Sequence, residues 1–146
     1  MTSVTKTVAY SLTATSIDEM QMTKISIPIY KTALPRMGIL PTLPLAFRYA
    51  SSRYQGLDLM NFDTEQLIQK TEMFITHANQ PTQVGTGILL TIEDIHLEVG
   101  VVDHLFDLPY QDFGYLPQCS WIRHLWKTCH KHRLSLRGEY VRSKLR

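Results

Sequence analysis

The sequence predicts a mainly α protein: a single compact domain of four to five helices with short strands at the N- and C-terminal ends. Two capping signals, apolar stripes that recur at helical spacing, and the scarcity of alternating runs lead to that class. Residues 7–12 form the first element, with Val8, Tyr10 and Leu12 on one face and Thr7, Ala9 and Ser11 on the other. That period of two predicts a short edge strand. Ser16-Ile-Asp-Glu19 matches a capping box, so a helix is expected from there, carrying Ile17, Met20, Ile25, Ile29 and Leu34. Pro28 removes one internal hydrogen bond and is expected to kink or divide it, and Pro35 with Gly38 to end it. Leu45-Ala-Phe-Arg-Tyr-Ala50 reads as a short helix inside irregular chain rich in Pro and Gly.

Asp63-Thr-Glu-Gln66 is the second capping signal. Leu67, Ile68, Thr71, Phe74, Ile75 and Ala78 follow as one apolar face, stopped by Asn79 and Pro81. Between Val84 and Val99, Ile88, Ile92, Ile95 and Val99 make a stripe that Leu89, Leu90 and Leu97 widen to most of the circumference. A helix apolar nearly all round is expected to be buried, with Gly100 as its left-handed stop. Residues 101–118 read as an aromatic-rich connection folding back over the core. Trp121, Ile122, Leu125, Trp126 and Cys129 then define an amphipathic helix, and Leu134 and Leu136 alternate as a weak terminal strand. In this division residues 1–14 are terminal strand and linker, 15–133 the helical core and 134–146 a basic tail.

With 146 residues, 44% hydrophobic and 19% charged, the chain has room for one domain with a true core. The longest apolar runs, such as Gly87–Ile92, fall far short of the ~20 residues of a membrane span. Met1–Thr7 lacks the pattern of a secretory leader, and two cysteines make no disulfide framework. These features predict an intracellular protein of nucleus or cytoplasm, neither secreted nor membrane-bound.

The net charge of +2 hides a division along the chain. Residues 1–55 carry six Lys/Arg against Asp18 and Glu19; residues 56–113 carry Lys70 alone against ten acids. Residues 114–146 carry eight Lys/Arg against Glu139. Within that last block Arg123, Lys127 and Lys131 recur at every fourth position and share the helix face opposite Trp121 and Leu125, followed by Arg133 and Arg137. Such a face can neutralise phosphate, pair with the acidic middle of the chain, or simply be solvated.

Chemistry-bearing motifs are scarce. No Asp-Asp pair offers a two-metal site, and Glu93, Asp94 and Glu98 read as the wet side of a helix. Cys119, His124, Cys129, His130 and His132 are zinc-type ligands, but Cys119 and Cys129 lie ten residues apart, about 15 Å on a helix, and cannot share an ion. Cys129 is better placed in the core and the histidines on the basic side. Gly-x-Ser-x-Gly, phosphate-loop and dinucleotide fingerprints are absent, so no catalytic, metal or cofactor site is expected. Gly85-Thr-Gly87 reads as small residues for close helix packing. Trp121 and Trp126 read as core anchors rather than base-stacking platforms.

The order of segments resembles the region downstream of the polymerase core in retrotransposon-encoded reverse-transcriptase-like proteins of protists and fungi. The resemblance covers about residues 10–135. It is carried by Tyr10-Ser-Leu12 leading into Thr15-Ser16, the helix ending Lys31-Thr-Ala-Leu-Pro-Arg-Met-Gly38, and Pro44-Leu-Ala-Phe47 through Tyr54-Gln-Gly-Leu-Asp-Leu59. Asp63–Gln66, Thr86-Gly-Ile-Leu-Leu90, Leu97-Glu-Val-Gly100 and Tyr115–Ile122 with Trp126 complete it. Where the family shows Gly-Pro and a double glycine, this chain has Ala50-Ser51 and Gln55-Gly56. The catalytic aspartates of such polymerases belong to a palm region that would precede Tyr10, so no family catalytic residue carries over. The resemblance implies a non-catalytic C-terminal fragment or remnant of an RNA-directed DNA polymerase. Its partners would be RNA or DNA backbone and the missing palm domain, and Arg123, Lys127, Lys131, Arg133 and Arg137 its nucleic-acid contacts. The rival expectation is a small helical protein-protein interaction domain with no nucleic-acid role. Its basic tail would pair with acidic groups and its apolar patch would lie around Phe106, Tyr110 and Phe113.

Overall fold

The computed structural model describes residues 11–118 and 120–136. Among these the protein is helical, with six α-helices and no strand. They are α1 (Glu19–Arg36), α2 (Leu45–Tyr49), α3 (Phe62–Ala78), α4 (Gln83–Val99), α5 (Tyr110–Phe113) and α6 (Ser120–Lys131). Both terminal strands are corrections. Ser11 and Leu12 are helical, with Leu12 fully buried, and residues 134–136 are irregular; Val8, Tyr10 and Arg137 lie outside the described residues. The sixth helix is α5, a single turn inside the stretch read as connection.

The chain divides into two compact units, 1–66 and 67–146, with the boundary inside α3. The core of the first unit is Leu12, Met22, Tyr30, Leu34, Leu59 and Phe62. Asp18, two residues later than expected, is the N-cap of α1, and its amide donates to the Gln21 side chain at 3.3 Å. The helix runs on through Pro28 and Pro35, which neither divide nor end it. Pro28 withdraws only the amide that would have met the Lys24 carbonyl, and Lys24, Pro28 and Pro35 are all exposed, so that carbonyl is not stranded in the core. Termination falls to Gly38, whose φ of +73° is a left-handed stop, with the Ile39 amide reaching back to the Leu34 carbonyl at 2.9 Å. The Tyr30 hydroxyl donates to the Met60 carbonyl, and its ring stacks on Phe62 at 6.1 Å. Burial, and next Tyr49, push its phenol up to about 12, against the opposing pull of Arg48. Gln66 is wholly buried and donates from Nε2 to the carbonyls of Thr15 (3.1 Å) and Leu12 (3.4 Å).

The second unit packs Leu67, Phe74 and Ala78 of α3, Ile88, Ile92 and Ile95 of α4, and Ile122, Leu125, Trp126 and Cys129 of α6 around Leu105 and Phe106. Helix α3 begins at Phe62, because Asn61 caps it by accepting from the Asp63 amide at 3.1 Å. Its buried side is turned from the one expected: Ile68 and Ile75 are exposed, while Lys70 is buried. Helix α4 starts from Thr82, whose hydroxyl accepts from the Gly85 amide at 3.1 Å, and ends at Gly100 with φ +73°. It is not buried all round, since Leu97 is 81% exposed and Leu90 is half so. The core takes only the stripe of Ile88, Ile92 and Ile95, which leaves those leucines to solvent, where scattered apolar side chains are ordinary. Residues 101–118 do fold over the core, with Phe106 edge-on to Phe74 at 5.2 Å. Among the described residues no helix is long and apolar enough to cross a membrane.

Candidate nucleic-acid interface

Helix α6 is built by one buried ridge. Ile122, Leu125, Trp126 and Cys129 are at most 1% exposed. Trp126 is fixed by its indole N–H, which donates to the Leu108 carbonyl at 3.1 Å, and by the edge-to-face ring of Tyr110 at 5.2 Å and 85°. Cys129 is the core residue expected of it, and burial pushes its thiol up to about 11. With that ridge inward, the 3.6-residue repeat turns Arg123, Lys127 and Lys131 to the far side. Lys127, His130 and Lys131 are exposed, and Arg123 is half-buried with its Nε donating to the Tyr110 hydroxyl at 3.3 Å. The structure therefore brings Arg123, Lys127 and Lys131 onto one helix face and adds His130 to it.

Arg133 lies just beyond the helix, and Arg137 lies outside the described residues. The amides of Arg133 and Leu134 donate to the carbonyls of His130 (3.1 Å) and Cys129 (2.9 Å), the paired bonds that close a helix with a left-handed residue. Here that residue is Arg133, at φ 56°, where glycine is the unstrained choice. Arg133→Gly is expected to stabilise the second unit by about 0.5–1 kcal/mol in urea unfolding while removing one positive charge from the end of the basic face.

Sequence reasoning missed Lys70. Its side chain is wholly buried, its Nζ 3.3 Å from His124 Nδ1 and 5.4 Å from the centre of the Trp121 ring. The available signal was Lys70 itself, the lone basic residue in the acidic middle, one turn from both Leu67 and Phe74.

The apolar patch expected for a protein partner is corrected. Phe106 is buried edge-on to Phe74, Tyr110 stands edge-on to Trp126, and Phe113 is half-buried against the same core. The first unit holds a separate cavity of about 570 Å³ floored by Tyr30, Tyr49 and Phe62, with Lys31 and Arg48 among its walls. Arg48 donates from Nε to the Leu43 carbonyl at 2.8 Å and from Nη2 to the Pro41 carbonyl, which fixes that wall. Among the described residues no group of three or more His, Cys, Asp or Glu side chains is arranged to hold a metal ion.

No family model matches the chain, and neither a curated protein nor a solved structure matches it.

Proposed function

We propose that this chain is a non-catalytic helical domain that holds nucleic-acid backbone, as expected of the C-terminal, post-palm part of a mobile-element reverse transcriptase. The basic face of α6 carries this reading. Three cations spaced one turn apart stand on a helix whose opposite side is locked by Trp126 and Leu125, so the face that carries them is set before any ligand arrives. Lysine and arginine on such a face neutralise phosphates and release counterions without reading base sequence. Nuclease or polymerase chemistry has no part in it, since holding the backbone requires only fixed charge.

Changing Arg123, Lys127, Lys131, Arg133 and Arg137 together to Gln is expected to lower affinity for labelled RNA–DNA and DNA duplexes at least tenfold at moderate salt. For every phosphate no longer neutralised, the log–log salt dependence should also flatten by about 0.9. Fluorescence anisotropy at several salt concentrations measures both, with far-UV circular dichroism to show that the variant is folded. Equal affinity and equal slope in the folded variant would overturn the reading. That result would favour protein interaction instead, for which the aromatic-floored cavity of the first unit offers a concave surface.

A further inference from the structure

We propose that Arg123 is a fixed fork for phosphate oxygens and that Tyr110 is the residue that positions it; this rests on the nucleic-acid reading of α6. The Tyr110 ring is held on two sides. Its edge packs on the buried Trp126 at 5.2 Å, and Gly114 lies so close that a Cβ there would fall 2.4 Å from the ring. The hydroxyl is thereby placed at one point, and Arg123 Nε–H donates to it at 3.3 Å.

A guanidinium has five N–H donors in one plane, and using the Nε–H leaves the parallel pair on Nη1 and Nη2. Among the described residues no partner beyond Tyr110 meets Arg123. The side chain is half-buried, and a long cationic side chain in that position covers apolar surface with its stem and keeps its charged end toward water. That remaining edge matches two oxygens of one phosphate, and holding it in place spares most of the rotamer entropy that a free arginine would lose on binding. Lys127 and Lys131, one and two turns further along, are exposed, and a lysine ammonium attracts phosphate without orienting it. The basic face thus has one directional contact and two diffuse ones.

The test is a set of titrations of labelled duplex DNA with wild type, Tyr110→Phe, Arg123→Lys, Arg123→Gln, the Tyr110→Phe/Arg123→Gln pair, and Tyr110→Phe in a Lys127→Gln background. Tyr110→Phe keeps the ring on Trp126 and removes only the hydroxyl, and Arg123→Lys keeps the charge and removes the fork. Both are expected to weaken binding about three- to tenfold. The tyrosine change should have no effect once Arg123 is Gln and its full effect when Lys127 is Gln. Wild-type affinity in Arg123→Lys, or a Tyr110→Phe loss of equal size with and without Arg123, would overturn the fork while leaving phosphate binding by the face as a whole intact. A wild-type chain that binds no duplex would overturn the fork together with the reading beneath it.

Discussion

Trp126→Ala is expected to destabilise the second unit by about 4 kcal/mol, measured as a lower urea midpoint by far-UV circular dichroism. Three losses combine. The indole is fully buried between α6 and the segment 105–110, so truncation leaves a cavity among Ile122, Leu125, Phe106 and Tyr110 that rigid neighbours cannot fill. The Leu108 carbonyl loses its donor, and Tyr110 loses its edge-to-face partner. Trp126→Phe separates these effects. It retains most of the burial and leaves Leu108 unpaired, so a loss of about 1–2 kcal/mol is expected. Domains of this size have only about 5–15 kcal/mol in total, so the alanine variant should sit near the edge of folding at room temperature. A change below 1 kcal/mol would show that α6 is not anchored through this side chain.

The second large effect lies at Gly85. A Cβ added there would stand 2.2 Å from the His77 carbonyl oxygen, in the last turn of α3, and 2.3 Å from that of Gln80, in the turn that follows it, both backbone atoms. Backbone cannot step aside as a flexible side chain does, so the turn between α3 and α4 must open. Gly85→Ala is expected to cost about 3 kcal/mol, partly through the Thr82 cap, which accepts from the same residue's amide. Gly87, two positions on, meets nothing within 4 Å of an added Cβ. Gly87→Ala should therefore stabilise the helix by up to about 1 kcal/mol. Thermal unfolding of the pair, side by side, provides the check: opposite signs are required.

That contrast shows how much of the molecule was legible beforehand. Gly85 and Gly87 looked alike in sequence, because what separates them is the close approach of the His77 and Gln80 carbonyls to Gly85 alone, which the spacing of small residues does not record. The long helices, their order and the stop at Gly100 were readable from capping chemistry and period alone. Their starts were misplaced by a couple of residues where two acceptors compete, Ser16 with Asp18 and Asn61 with Asp63, since either side chain can take a free helix amide. The inward face of α3 was misread because hydrophobicity favours Ile68 and Ile75. The fold instead buries Gln66 and Lys70, whose partners Thr15, Leu12, His124 and Trp121 are more than 50 residues away. Local pattern holds no record of such partners. The alternation at 134–136 was real in sequence but has no neighbouring strand to join among the described residues. At the basic face, spacing sufficed to align Arg123, Lys127 and Lys131, whereas the hydroxyl of Tyr110 that seats one of them comes from another element.

Lys70 also settles the azimuth of α6. Trp121 and His124 are three residues apart, so together they bracket the buried Lys70 amine from one narrow sector of the helix. Turning α6 by a single residue would swing both through about 100° and carry them away from the buried Lys70 amine, whose burial in an apolar seam is costly once such contacts are lost. A purely apolar seam is tolerant of such slippage, as oil is to rotation. A buried amine set in it acts as a key in a lock, and because the key fits at one angle, the far side of the cylinder keeps the same row of Arg123, Lys127 and Lys131.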